Sequence, residues 1–559
     1  MAEHTARDEE ENGDHGETDD GCRLHRRDAL KMSATAVAAG LTGLSMTSSA
    51  AAATERHGIS FDRVVDAVDD LGLDPDGDEP IDSAIAETIE EGDTLVEFPP
   101  GEYYWKDSIS EHDVRNWGIR GLGDDPTDVR FVSDEGASKH LLKTNGGNGL
   151  LVENVALDYG SDRDGSLGLV LKLDDGLRVQ DVHFVGYNPI ENDGAVDNLS
   201  PQALDSDGRA IVDGLVRTGP TDVRPHGENE GCIWLGDNHV GELVVRNSHI
   251  ENTGTNAIYA RAAPGDVKVE DSLFVNNNQA SLRIGGEGSH VKNCRFVVDT
   301  DDATDENDGR FINPNSILWE TGERGENGGS IEGCDFIYES VPSETTAVWI
   351  DGSAGETTIR DSRFRLDADA AAVRADDPRD PRLGETSERP WNVTLDGVSV
   401  TGSSSGSTPA ISIENRDDST IRNSCLHLTG DRHGVLFRDC DDSAIEDTNI
   451  NVGGEATIFQ GSDVSTSGIT DSESCPVPGD SSSSGQEADA QEETEEEDTE
   501  TEEEDTETEE ETETETEEET ETETEEETET ETEEETETET ATETETATET
   551  ETATKTDDK

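Results

Sequence analysis

The sequence predicts an all-β solenoid, and three observations carry that expectation. A six-residue shape returns ten times, its third position is always Asn, Asp or Gly, and apolar or small residues hold its first, fourth and sixth positions. The copies are "VENVAL" from 152, "VQDVHF" from 179, "VRNSHI" from 245, "VEDSLF" from 269, "VKNCRF" from 291, "IEGCDF" from 331, "IRDSRF" from 359, "LDGVSV" from 395, "IRNSCL" from 421 and "IEDTNI" from 445. Their starts lie 27, 66, 24, 22, 40, 28, 36, 26 and 24 residues apart, a basic period in the twenties lengthened by insertions. Such a period marks stacked units, each burying its apolar side only against its neighbours.

Position three sets the local structure. Asn154, Asp181, Asn247, Asp271, Asn293, Gly333, Asp361, Gly397, Asn423 and Asp447 are the residue types that accept a left-handed backbone at low cost, so each marks a corner between short strands. A helix would have to survive a turn-former in every unit, among β-branched and aromatic neighbours. Position six should stack inward as a column: Leu157, Phe184, Ile250, Phe274, Phe296, Phe336, Phe364, Val400, Leu426 and Ile450. Position two points outward and alternates in sign through Arg246, Glu270, Lys292, Glu332 and Arg360, a ladder of exposed pairs each worth about 0 to 1 kcal/mol. Cys294 and Cys334 share position four in consecutive units and are expected side by side indoors, as two thiols in preference to a bridge.

These features resemble the right-handed parallel β-helix of the pectate-lyase-like superfamily. The stretch "DLGLDPDGDEPIDSAIAETIEEGDTLVEFPPGEYYWKDSI" adds to the resemblance. There Gly72, Asp76 to Asp78, Asp82, Ala84 and Ile85 lead into what the family would make an N-terminal capping helix, and Phe98, Pro99, Pro100, Gly101 and Tyr103 into its first coil. The implied organisation is an acidic leader with an export signal over 1–53, a cap and first strands over 54–110, the β-helix over 111–475, and a disordered Thr/Glu-rich tail over 476–559. "DPDGD" (74–78) raises calcium as a cofactor, but its spacing departs from the Asp-x-Asp-x-Asp-Gly order, and a plain turn is the alternative. The cofactor is otherwise unknown.

Charge bounds the partners. The 559 residues carry 135 Asp and Glu against 40 Lys and Arg, a formal net charge of −95. Residues 481–559 hold 40 acidic and two basic residues, −38 of that total, which leaves −57 on the rest. Such a surface repels itself over roughly 8 Å at physiological ionic strength and about 3 Å at 1 M salt, which fits strong brine and resembles the proteins of halophilic archaea. It should repel nucleic acid and anionic membranes. "HRRDALKMSATAVAAGLTGLSMTSSAAAA" resembles a twin-arginine export signal, with Arg26, Arg27, Leu30 and Lys31 matching and a cut near Ala50 to Thr54. The expected product is secreted or on the cell surface, with no integral membrane segment in the mature chain. Cys22 leaves with the signal, and the six remaining cysteines permit disulfides. The tail has almost no apolar residue and cannot form a core.

Candidate functional residues lie on a second strand of each unit, "NAIYAR" from 256, "ASLRIG" from 280, "TAVWID" from 346, "AAAVRA" from 370, "AISIEN" from 410 and "GVLFRD" from 434. Alternation places Tyr259, Arg283 and Trp349 in one outward file and Arg261, Asp351, Arg374, Glu414 and Arg438 in the next. Aromatic faces beside Arg and carboxylate suit a sugar chain, the rings for stacking and the charges for hydroxyls or uronates. The stretch between Gly186 and Gly231 is the longest break in the period and reads as an inserted loop, where function concentrates. It brings His226, Glu228, Glu230, Asp237 and His239 toward Tyr259 and Arg261, a candidate acid, base or metal site, with ordinary loop histidines as the alternative.

The family's catalytic motifs are incomplete here. "VWIDG" (348–352) resembles a pectate-lyase stretch with Gly352 in place of its His, and "RDPRLG" (379–384) ends in Gly384 where the family has Arg. "RPHGE" (224–228) has Arg224 where the uronan epimerases have Asp, and "RHGV" at 432 precedes "CDD" at 440, the reverse of the hydrolase order. Three functions therefore stand. The first is recognition of polysaccharide or a cell-surface glycan by Tyr259, Arg261, Arg283, Trp349, Asp351 and Arg374. The second is a polysaccharide lyase, C5-epimerase or glycoside hydrolase using His226, His239, Tyr259 and Arg261. The third is a cell-envelope or adhesion element, with Asn198 and Asn392 as glycosylation sites.

Overall fold

Parallel strands, stacked three to a coil, build the molecule. The computed structural model describes residues 53–479 apart from 135–136, 161–165, 188–195, 220, 222–230, 262, 302, 304–313, 322–327 and 380–389. These residues form forty strands and a single α-helix, and beyond an N-terminal hairpin every ladder is parallel. From Leu199–Ala203 onward each strand pairs with the one three places later, and before it, where long strands run through corners, mostly with a nearer one, so the chain returns to the same sheet once per coil. The coil is a right-handed parallel β-helix, the hand that parallel crossovers adopt.

The repeated hexamer supplies two of the three sheets. All ten corner residues have positive φ, from 43° at Asp447 to 70° at Gly397. Position one and position six point inward on either side of that corner and are buried throughout. Four phenylalanines of position six stack nearly face to face: ring centroids are 5.1 Å apart from Phe274 to Phe296, 5.0 Å to Phe336 and 4.5 Å to Phe364. The position-two ladder is in register from Arg246 through Glu270, Lys292 and Glu332 to Arg360, and continues through Asp396 and Arg422 to Glu446.

The 66-residue interval between the second and third hexamers is not one inserted loop. It contains a further coil, with strands Leu199–Ala203, Arg209–Asp213 and Val216–Arg217. Its corner is Gly214, at φ 78°, and its position six is Arg217, which sits between Phe184 and Ile250 in the inward column. An arginine there hides the repeat from an apolar pattern. It is fully buried because its guanidinium donates to the carbonyl oxygens of Glu251 (3.0 Å) and Asn252 (3.1 Å) and to the side chain of Asn198 (3.3 Å). Asn198 is itself fully buried, which removes it as a glycosylation site.

The helix Asp82–Glu91 caps the N-terminal end, sending Ile85 and Ile89 into the core. Before it, the Asp74 carboxylate accepts from the backbone N–H groups of Asp76 (3.1 Å) and Asp78 (2.7 Å), which hold it below its ordinary pKa. "DPDGD" thus enters the strand Asp76–Pro80 through a turn closed by the Asp74 side chain. Cys294 and Cys334 are buried thiols outside any disulfide, as are Cys232 and Cys440, and Cys425 is bridged to Cys475. Among the described residues no helix is long and apolar enough to cross a membrane. The twin-arginine stretch and residues 480–559 lie outside the described residues.

Two substitutions test this frame. Phe336→Ala should cost about 3 to 5 kcal/mol in a denaturant titration. At the corner, Asp361→Gly should be nearly neutral, whereas Asp361→Val should lose about 1 to 2 kcal/mol because a β-branched residue must take up the left-handed conformation.

Candidate functional site

The third sheet carries the aromatic and arginine side chains. Its strands Ile233–Trp234, Ile258–Tyr259, Ala280–Ile284, Asn315–Trp319, Thr345–Ile350 and Ala370–Ala375 stack in consecutive coils. Ile233, Ile258, Leu282, Ile317, Val348 and Val373 point into the core, which turns their successors outward. The outward file runs Trp234, Tyr259, Arg283, Leu318, Trp349, Arg374 without a break in register. Arg374 therefore lies in the first file with Trp349, one file away from its expected place. Three consecutive alanines, Ala370 to Ala372, give no inward or outward contrast, and a one-residue slip exchanges the two faces.

The side chains of this file pair up. The Arg283 guanidinium lies 5.2 Å from the centre of the Tyr259 ring, and that of Arg374 lies 4.8 Å from the Trp349 ring. Tyr259 and Trp349 are three coils apart, roughly 14 Å at the usual strand spacing. A groove of about 250 Å³ opens beside Trp349 and Arg374, lined also by Asn315, Glu344, Thr345, Thr346 and Thr408.

Behind the file stands a row of carboxylates just past the strand ends. Glu320, Asp351 and Asp376 follow one another there, because the backbone N–H of Asp351 bonds to Trp319 O and that of Asp376 to Ile350 O. Glu320, 3 % exposed, accepts the Arg283 Nε–H at 2.7 Å and is ion-paired with Arg261, whose Nε lies 2.7 Å from its other oxygen. Asp376 accepts Arg374 Nε at 2.7 Å and the Trp349 indole N–H at 2.9 Å. Asp351 was expected to face outward, yet it is buried, with Arg379 Nη2 at 2.6 Å and the Ser353 N–H at 2.9 Å. Burial pushes its pKa up, but the bonds from Arg379 and Ser353 outweigh it and hold Asp351 below its ordinary value. The two incomplete lyase-like stretches thus meet as an ion pair. The fully buried Arg416 fixes the backbone beneath, donating to the carbonyl oxygens of Asp351 (3.1 Å), Ala354 (3.1 Å), Asp376 (2.8 Å) and Trp391 (3.0 Å).

Of the expected site residues, Tyr259, Arg261, Arg283, Trp349 and Arg374 converge on this face, with Asp351 as their buried support. His226 lies outside the described residues. His239 is fully buried in the turn before strand Glu242–Arg246, its Nδ1 accepting the Ala203 N–H at 3.1 Å and its Nε2 3.4 Å from Asp266 O. Both ring nitrogens face backbone, and burial lowers its pKa from 6.5 to about 4. Among the described residues no group of His, Cys, Asp and Glu side chains is placed to hold a metal ion. Glu320, Asp376 and Arg416 escape a reading of the strands alone. The signal for the first two is register, since each is the first residue past an aligned strand.

No protein-family profile matches the chain, and no curated protein does so at a significant level. Among solved structures, similarity reaches the A-module of the mannuronan C-5 epimerase AlgE6 of Azotobacter vinelandii, at 12% identity and TM-score 0.45, covering 73% of this chain and 99% of that one. The surface adhesin PfbA of Streptococcus pneumoniae matches at 12% identity and TM-score 0.43, covering 71% and 92%. The catalytic unit of an α-1,3-glucanase from Streptomyces thermodiastaticus matches at 15% identity and TM-score 0.33, covering 75% and 70%.

The state of His239 has a measurable consequence. Because its folded-state pKa is depressed, the unfolded chain takes up the proton first as pH falls. Its contribution is complete above about 6.5 and is lost progressively between about 6.5 and 4. Denaturant titrations across that range should show His239→Gln less pH-dependent than the parent by up to one proton, about 1.4 kcal/mol per pH unit.

Proposed function

We propose that the third sheet recognises extracellular polysaccharide. The observation that carries this reading is the unbroken outward file of Trp234, Tyr259, Arg283, Leu318, Trp349 and Arg374, in a chain where only 4% of residues are aromatic. Rings and guanidinium planes offer flat stacking surfaces, and the free edges of the guanidinium groups offer paired donors to hydroxyl or carboxylate oxygens. A linear chain with a regular repeat suits a scaffold whose own side chains repeat at the strand spacing. The support is already organised, because Glu320 and Asp376 fix the arginines by their Nε atoms before any ligand arrives.

The carboxylates favour binding over catalysis. Glu320, Asp351 and Asp376 are each engaged by arginine, and Asp351, whose pKa is held below its ordinary value, is a poor proton carrier at neutral pH. Display outside the cell, after export through the twin-arginine route, would bring the file to its ligand.

The test is a panel of acidic and neutral polysaccharides offered to the protein in about 1 M salt, where self-repulsion is screened. At least one should bind, and combining Arg283→Ala with Trp349→Ala should weaken it about a hundredfold, roughly a tenfold loss for each stacking group. Undiminished binding by the double variant would overturn the assignment of this face. Release of unsaturated or shortened sugars would instead establish an enzyme and direct attention to His226, Tyr259 and Arg261.

A further inference from the structure

The last coil breaks a rule that the rest of the chain obeys. Charged residues make up 31% of the protein, yet the fifteen residues 456–470, "ATIFQGSDVSTSGIT", contain one, Asp463. The fifteen residues 434–448 of the coil before contain six. The loss is position by position. Arg438 pairs in register with Gln460 and Glu446 with Ser467, and the corner aspartates Asp439 and Asp447 give way to Gly461 and Gly468. Both outward charge ladders thus end in neutral side chains, while Phe459 and Ile469 remain 39% and 40% exposed.

This coil also presents open strand edges. Among the described residues Thr457–Gln460 pairs only with Val435–Arg438, and Val464–Ser467 only with Ser443–Glu446. Charged side chains, prolines and bulges are the usual protection of such edges, and within the two strands and the turn between them Asp463 is the lone charge. At the other end of the solenoid the helix Asp82–Glu91 occupies the equivalent place.

The chain that follows is led away from this end. Residues 471–479 fold back along the flank: Asn449 Nδ2 donates to Ser472 O at 2.8 Å, Cys425 is bridged to Cys475, Ser399 Oγ donates to Pro476 O at 2.5 Å, and the Gly479 N–H reaches Asp335 Oδ2 at 3.0 Å. Asp335, Arg363, Ser399, Cys425 and Asn449 are register partners in successive coils, so Gly479 lies four coils back from Asn449.

We infer that the C-terminal end of the solenoid is an interface for a second copy of this chain, the two last coils meeting end to end about a two-fold axis. A two-fold perpendicular to the solenoid axis reverses strand direction, so the two open edges meet open edges in antiparallel fashion, at a place where two polyanions can touch without facing like charges. A single extended peptide covers one edge, whereas a second copy covers both. Head-to-tail growth is blocked by the N-terminal helix, so the assembly closes at two.

The test uses the full chain with its disulfide intact, in about 1 M salt, followed by sedimentation and by hydrogen exchange. The parent should be a dimer, with amides of 457–460 and 464–467 more protected at high than at low concentration. Gln460→Glu combined with Ser467→Glu extends acidic charge onto both edges, and Thr466→Pro removes a ladder donor. Each should weaken the dimer at least tenfold while leaving the unfolding midpoint of the monomer near that of the parent. A parent that stays monomeric at every concentration, a dimer indifferent to both variants, open-ended polymers, or edges protected only by an added peptide would each overturn the inference.

Discussion

Everything in this molecule depends on a corner that can be turned cheaply once per coil. A strand that must end after a few residues and restart in a new direction needs a residue with positive φ, and Asn, Asp or Gly provides it at each of the ten repeats. With the corner fixed, position one and position six fall indoors on either side, and their columns complete the core between coils. The corner also sets phase. Every outward side chain has its register partner directly above and below, so one residue type repeated at one position becomes a line on the surface.

That geometry explains how so acidic a chain stays folded while aligning aromatic and arginine side chains on one face. Along position two, cations alternate with anions instead of facing their own kind, so the stacking coils meet attraction where uniform acidity would give repulsion. On the third sheet the arginines are neutralised from behind by Glu320 and Asp376 and covered on one face by Tyr259 and Trp349. Their remaining edges point to solvent. The carboxylates Glu320 and Asp376 are thus arranged as support, and the aromatic groups stand on a rigid stack of paired strands.

Buried arginines perform a different task. Arg217 and Arg416 each donate to several buried backbone carbonyl oxygens near the ends of strands. Such groups are costly when orphaned, and a guanidinium with its five donors can serve several at once. Arg217 lies in the inward column of its coil, and Arg416 beneath the turn that carries Asp351.

The sequence by itself determined the repeat, the corners, the inward columns and the sign-alternating ladder, because each depends on residue type at a fixed local spacing, while the capping helix was implied by resemblance to a family. It also placed Tyr259, Arg283 and Trp349 together, since alternation along a strand is a local property. Only the tertiary structure decided the coil hidden behind Arg217, the true file of Arg374, the burial of Asp351 and His239, the bond between Cys425 and Cys475, and the carboxylates behind the arginines. These rest on register between strands twenty or more residues apart and on which groups a turn leaves unsatisfied. Alanine runs and polar core residues carry no local periodicity from which either can be read.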